Sequence, residues 1–168
     1  MQNANFANQE KFTLFWDGPF SQWYPSEFMV DHLKFNCAEQ FMMYGKALLF
    51  QDMETAGQIL KAESPQEQKA LGRKIRSFDQ DVWSLFREGV VYTGSYAKFT
   101  QNPTLWENLL ATKGTTLVEA SPYDRIWGIG LTENDPRAKT RVQWDGLNLL
   151  GETLTRVREA ILWEKSRS

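Results

Sequence analysis

The sequence predicts a single-domain, mainly α-helical fold with about six helices and a few short β-strands. Apolar residues recur at helical spacing in several segments, for example Leu150, Leu154, Val157 and Ile161. Helix-start signals are also frequent, and the clearest is Ser64-Pro65-Gln66-Glu67, with an N-cap, a proline at the first helical position and a capping-box Glu. A length of 168 residues corresponds to about one domain.

Short strands are predicted where aromatic or β-branched residues lie between turn residues. Phe12 to Trp16 forms the first, ended by Asp17-Gly18-Pro19, and residues 28–35 form a small hairpin that turns near Asp31-His32. Thr115 to Glu119 is a third strand, and Ile126 to Leu131 is a second strand-like segment after it. The stretch from Thr132 to Arg141 is a charged loop.

Helices are predicted between these strands and after them. Their expected starts are Asn36 as an N-cap, Asp52 for a helix through Leu60, Ser64, Asp79 or Asp81, Asn102-Pro103 for a helix ending at Gly114, and Asn148. Gly89 and Gly94 each cost about 1 kcal/mol relative to Ala inside a helix, so a break is expected there. Residues 1–11 are predicted to be a flexible arm, 12–163 the domain and 164–168 a C-terminal tail.

Composition excludes several classes of function. Nineteen Lys plus Arg against 21 Asp plus Glu give a formal charge of -2, so no global positive field attracts nucleic acid or an anionic membrane. One Cys and one His are too few for a disulfide framework or a structural zinc site, and a Ser-His-Asp triad is improbable. Gly128 and Gly130 lack the third glycine of a dinucleotide fingerprint. The residues therefore favour neither a structural zinc site nor a dinucleotide cofactor.

The N-terminal sequence MQNANFANQEK lacks the regions of a secretory signal, and the apolar runs are far shorter than the ~20 residues that span a bilayer. A cytoplasmic protein without membrane contact is the expectation. Seven Trp, eleven Phe and five Tyr exceed what a core of this size needs, which favours a pocket for a planar or sugar ligand.

Glu39 and Lys46 are candidate catalytic residues because a separation of seven residues places both on one face of the first helix. A carboxylate and an amine so arranged can serve as general acid or base and as nucleophile or electrostatic clamp. The alternatives are that Glu39 closes a capping box with Asn36 and that Lys46 is a solvated surface lysine.

Asp124 lies in a loop between two strand-like segments, where side chains project into clefts. Its alternative is an Asx turn after Pro122. Aromatic rings that could stack on a base or a sugar belong to Phe20, Trp23, Trp83 and Trp127, although core packing would also explain them. Arg73 suits a phosphate group or, equally, a solvated helix face.

Taken in order, the motifs resemble those of the YbiA/NADAR family from about residue 12 to residue 162. They are Phe20-Ser21-Gln22-Trp23, Ala38-Glu39-Gln40 followed by Lys46, Ser64-Pro65 with Gly72-Arg73, Trp83, Lys98-Phe99-Thr100-Gln101, Leu117 to Gly128, and Asn148-Leu149-Leu150-Gly151. Gln22 and Trp23 depart from the Asn and Phe of many members.

The resemblance implies a metal-independent N-glycosidase of YbiA-like helical fold that hydrolyses the bond between ribose C1 and an amine nitrogen. Two substrate classes are associated with the family: phosphoribosylamino-pyrimidine intermediates of riboflavin synthesis, and ADP-ribose attached to guanine. In the second class, DNA or RNA would be bound through its ADP-ribose modification. The candidate catalytic residues are then Glu39, Lys46, Asp124 and Trp83, and the candidate substrate-binding residues are Phe20, Ser21, Trp23, Arg73, Trp127, Gly128 and Asn148. A module that binds NAD or ADP-ribose without turnover is the alternative.

Overall fold

The structure is a computed structural model that describes residues 10–167. These residues include four strands: β1 (Phe12–Phe15), β2 (Phe28–Val30), β3 (Leu33–Phe35) and β4 (Thr116–Glu119). Six α-helices accompany them in the described chain: α1 (Ala38–Leu49), α2 (Met53–Lys61), α3 (Pro65–Gly72), α4 (Gln80–Gln101), α5 (Pro103–Leu110) and α6 (Leu149–Lys165). Short 3-10 turns occupy Gly18–Phe20, Pro136–Lys139 and Arg141–Gln143. The predicted mainly α-helical fold with a few short strands is confirmed.

Three helix starts follow the local signals in the sequence. The Asp52 side chain accepts a hydrogen bond from the backbone N–H of Thr55, and the Ser64 hydroxyl accepts one from Glu67. Asp79, rather than Asp81, caps α4. Each acceptor satisfies N–H groups that have no partner inside the helix, which is why these starts could be predicted.

Helix α4 is continuous over 22 residues, so the predicted break at Gly89 or Gly94 is wrong. Gly94 lies where α4 packs on α1, and a Cβ there would be 2.4 Å from Cδ1 of Phe41. Close helix packing therefore explains this glycine, and the packing outweighs its poor helix propensity. Helix α5 ends at Leu110, before the predicted Gly114, which has a φ of +86° in the turn before β4.

The strands form two small ladders. Strand β1 pairs in parallel with β4, from Phe12 opposite Thr116 to Phe15 opposite Glu119. Strands β2 and β3 form the predicted hairpin, with Asp31 and His32 in its turn.

The segment from Ile126 to Leu131 is not a strand, which corrects that prediction. Its backbone bonds mostly to the turn before α6: Gly128 O accepts from Asn148 N, and Trp127 O accepts from Leu150 N. It therefore lies as an irregular loop between the end of β4 and the start of α6.

Helix α1 is central and packs on α2, α3 and α4, while α6 packs on α4 and β4. The main core includes Ala47, Ile59, Phe99, Leu117, Leu154 and Val157. The start of α1, the end of α3 and the end of β4 meet around one cavity. Within residues 10–167, no helix is both long and apolar enough to cross a membrane.

Residues 1–9 of the predicted arm and Ser168 of the predicted tail lie outside the described residues. The last two residues of the arm are described and contact the domain. Lys11 O accepts a hydrogen bond from Thr116 N, and Glu10 forms an ion pair with Arg141.

Candidate active site

A cavity of about 640 Å³ gathers most of the predicted site residues. Eight of them line it: Ser21, Trp23, Glu39, Lys46, Arg73, Trp83, Asp124 and Trp127. They come from the turn after β1, from α1, α3 and α4, and from the loop after β4. Residues far apart in sequence thus meet at one concave site of a size typical for small ligands.

Phe20 and Gly128 do not line this cavity. Phe20 packs edge-to-face on Phe15, with ring centroids 5.5 Å apart, and so belongs to the core. At Gly128 a Cβ would lie 2.9 Å from the backbone oxygens of both Asp124 and Glu119. This glycine therefore permits a close approach of the backbone beside the cavity.

Asn148 is also absent from the cavity lining and is fully buried. It has a left-handed backbone, with φ +55°, and its side chain bonds along the edge of β4. Oδ1 accepts from Glu119 N and Nδ2 donates to Leu117 O, both at 2.9 Å. The predicted substrate-binding residue therefore contacts the strand that carries Glu119.

Glu39 is the second residue of α1 and only 3% exposed. Cys37 is the N-cap residue, and Asn36, predicted as the cap, instead donates from Nδ2 to Glu63 O. The capping-box alternative is therefore wrong for Glu39. Its Oε1 is buried and has no hydrogen-bond partner among the described residues, and its backbone N–H donates to Gln22 O.

Burial dominates the electrostatics of Glu39. It raises the pKa of this carboxyl to about 7, because the charged form loses water that the protein does not replace. This net value also includes the charge of Asp124, which acts to raise the pKa, and Lys69, Trp23 and Arg73, which act to lower it. At neutral pH the carboxyl is thus divided between its acid and base forms, which suits general acid–base chemistry.

Glu119, at the end of β4, lines the same cavity and was not identified from the sequence. Its pKa is raised to about 8, mainly by burial and also by the charges of Asp124 and Glu39, while Lys69 acts in the opposite direction. Its Oε2 is buried without a partner among the described residues. The signal in the sequence was an acidic residue ending an otherwise apolar strand.

Asp124 combines both interpretations considered for it. Oδ1 accepts hydrogen bonds of 2.8 Å from the backbone N–H groups of Ile126 and Trp127, which is the Asx-turn arrangement. The residue also lines the cavity, where its charge affects Glu39 and Glu119. The turn therefore fixes a carboxylate at the site.

Lys46 is half-buried, so it is not the solvated lysine of the alternative interpretation. Nζ donates to Gly72 O at 2.9 Å and lies 4.2 Å from the centroid of the Phe78 ring. Burial lowers its pKa, while the charge of Glu39 raises it. A second lysine, Lys69, also lines the cavity and was not predicted.

The cavity thus combines the acids Glu39 and Glu119, each with a buried carboxyl oxygen, with Asp124 and a basic rim that includes Lys46 and Arg73. Within residues 10–167, no cluster of three or more His, Cys, Asp or Glu is arranged to hold a metal ion. The arrangement can protonate a leaving group, stabilise a cationic centre and bind an anionic substituent.

Several known proteins are similar to this chain in sequence. "Protein irg-1" of Caenorhabditis elegans is 42% identical over 172 residues, covering 92% of this chain and 81% of its own. "N-glycosidase R617" of Acanthamoeba polyphaga mimivirus is 41% identical, covering 83% and 85%. The chloroplastic "Riboflavin biosynthesis protein PYRR" of Zea mays is 36% identical over 62% of this chain, which corresponds to only 16% of that longer protein.

The NMR structure of the E. coli protein YbiA superposes with a TM-score of 0.77 at 27% identity, covering 95% of this chain and 90% of YbiA. The family model for the NADAR domain matches residues 6–162. This match spans nearly the whole chain, and the protein therefore belongs to the NADAR family.

Proposed function

We propose that this protein is an N-glycosidase that hydrolyses the bond between C1 of a ribose and an amine nitrogen. The observation that carries the proposal is the Glu39 carboxyl, buried in a cavity of about 640 Å³ with an unpartnered oxygen and a pKa of about 7. Membership of the NADAR family and the similarity to "N-glycosidase R617" support the same reaction.

Glu39 is assigned as the general acid–base. Cleavage leaves electrons on the amine nitrogen and positive charge on the ribose, so a proton must reach the nitrogen as the bond breaks. In its protonated form Glu39 donates that proton, and the resulting carboxylate can then take a proton from the attacking water. Such catalysis supplies about 100- to 10,000-fold, so other groups must contribute as well.

The charge of Asp124 provides the second contribution. A carboxylate fixed by two backbone N–H groups is already oriented before the reaction begins, and its charge stabilises an oxocarbenium-like ribose. Trp83 and Trp127 supply rings for contact with the sugar or its base.

Lys46 has two possible roles, which differ in chemistry. A ribosylamine can open its ring to an imine at C1; the free amine of Lys46 then adds to C1 and the substrate amine leaves, giving a Schiff base that water hydrolyses. Alternatively, Lys46 remains a cation that stabilises negative charge. The lowered pKa of Lys46 increases its free-amine fraction and favours the first role.

Two substrate classes fit this reaction. Phosphoribosylamino-pyrimidines are favoured by the similarity to a riboflavin biosynthesis protein. ADP-ribosyl-guanine is the second class. A chain of net charge -2 would bind the ADP-ribose modification itself and not the phosphates of the nucleic acid backbone. A slope steeper than about two in a plot of log binding constant against log salt concentration would contradict this mode of binding.

The test is incubation with both substrate classes, followed by identification of the released ribose and base. We expect free amine from at least one class, loss of that product in Glu39→Gln, and its retention in Glu107→Gln, which changes an exposed glutamate of α5. Tight binding of ADP-ribose with no product from either class would instead indicate a binding module.

A further inference from the structure

A second cavity of about 300 Å³ adjoins the main one and shares five lining residues with it, among them Lys46, Arg73 and Trp83. Three further residues line only this part: Phe78, Gln80 and Arg87. We call this cavity the annex. Because the walls are shared, one ligand can occupy both spaces.

Most other arginines in residues 10–167 pair with carboxylates of that range, whereas the two arginines of the annex do not. Ion pairs with carboxylates are formed by Arg76, Arg137, Arg141, Arg156 and Arg158. Among the described residues, no carboxylate lies within 4.0 Å of a side-chain nitrogen of Arg73 or Arg87, and the neighbouring Glu88 pairs with Arg156 instead.

Arg87 is the more informative of the two. Its Nε is buried and donates to no acceptor among the described residues. A buried donor left without an acceptor costs free energy, so an acceptor supplied by a ligand would recover that cost. Guanidinium groups match the oxygens of a phosphate in geometry as well as charge.

We propose that the annex is an anion subsite in which Arg87 and Arg73 together bind a phosphate group attached to the ribose of the substrate. The bond to be cleaved then lies beside Glu39 in the main cavity, and the phosphorylated end points towards α4. The anion subsite rests on the proposed function in one respect, namely that the bound anion is part of a ribosyl substrate. A phosphate monoester and a diphosphate share the required chemistry.

The test is calorimetric binding of ribose 5-phosphate, ADP-ribose and unphosphorylated ribose to wild type and to Arg87→Gln. We expect Arg87→Gln to weaken phosphorylated ligands by about 10- to 100-fold, as for a lost hydrogen bond to a charged group, and to leave ribose unchanged. Arg87→Lys keeps the charge without the paired donors and is expected to fall between. Arg167→Gln, which removes the same charge from the exposed C-terminal end, serves as the control.

Weakening of only one phosphorylated ligand supports the subsite and identifies its source, a monoester or a diphosphate. Equal affinities in Arg87→Gln and Arg167→Gln, with both variants folded by thermal unfolding, would overturn the assignment. Because binding is measured without turnover, an Arg87-dependent affinity in a protein that hydrolyses neither substrate would refute the proposed function and leave the subsite standing.

Discussion

Replacing Glu39 by Gln is expected to stabilise the protein while removing its activity. The folded state holds this carboxyl at a pKa of about 7, against an ordinary value of 4.5. Below pH 4.5 the carboxyl is protonated in both the folded and the unfolded chain, so the difference between its two pKa values does not affect stability. As pH rises from 4.5 to 7 the unfolded chain loses its proton first, so the folded state becomes progressively less stable, and above pH 7 the penalty is constant.

The size of this penalty follows from the two pKa values. At about 1.4 kcal/mol per pH unit it reaches about 3 kcal/mol at pH 8, but only about 1 kcal/mol at pH 5. Gln cannot ionise and avoids it. The stability of Glu39→Gln relative to wild type should therefore increase by about 2 kcal/mol from pH 5 to pH 8, equivalent to roughly 4–8 °C in Tm for a chain of this size.

The measurement is urea unfolding of both proteins at pH 5 and pH 8. Comparing the two pH values cancels any constant cost of burying the amide. Glu107→Gln provides the control, because an exposed glutamate should show no such change. A stability difference between Glu39→Gln and wild type that stays the same at both pH values would refute the assignment of a raised pKa to Glu39.

Substitutions at Lys46, Asp124 and Gly94 test separate parts of the structure, and Gly89 serves as the comparison for Gly94. If Lys46 forms a Schiff base, borohydride added during turnover should leave a mass adduct on the peptide that contains Lys46. Lys46→Arg should then be inactive, whereas an active Arg variant would assign Lys46 a purely electrostatic role. Asp124→Asn keeps an oxygen for the turn but removes the negative charge, so the pKa of Glu39 should fall. The alkaline limb of the pH–rate profile should then move to lower pH. An unmoved limb would contradict the electrostatic coupling between Asp124 and Glu39. Gly94→Ala should destabilise the protein by about 1–3 kcal/mol in urea unfolding, because the added Cβ would clash with the Phe41 ring of α1. Gly89→Ala, where the added Cβ faces open space, should instead stabilise it by about 0.5–1 kcal/mol. Equal effects would show that packing does not explain the glycine at position 94.

The sequence predicted best what depends on neighbouring residues. The caps at Asp52 and Ser64 need only a side chain and an N–H three residues later, so their helices could be placed accurately. The same reasoning failed for Asn36, because its side chain bonds to Glu63 and Gln68, which are far away in sequence. No local pattern contains that information.

Much of the site depends on such distant contacts. Eight of eleven candidate residues line the cavity, but Phe20, Gly128 and Asn148 serve the surrounding structure. Glu119 was missed because only the tertiary structure places it in the same cavity as Glu39 and Asp124. Family motifs thus predicted segments that line the cavity, while the division between lining and supporting residues required the tertiary structure.

The supporting residues explain how the site keeps its acids in unfavourable surroundings. A buried carboxyl would normally relieve its cost by moving towards water. The backbone on either side of the Glu119 side chain is held, since its N–H donates to Asn148 and its carbonyl accepts from Ile129 N. The N–H of Glu39 is likewise held, by Gln22 O. These hydrogen bonds fix the main chain that carries both side chains, so the fold itself holds the two carboxyls at the cavity wall, where burial raises their pKa values.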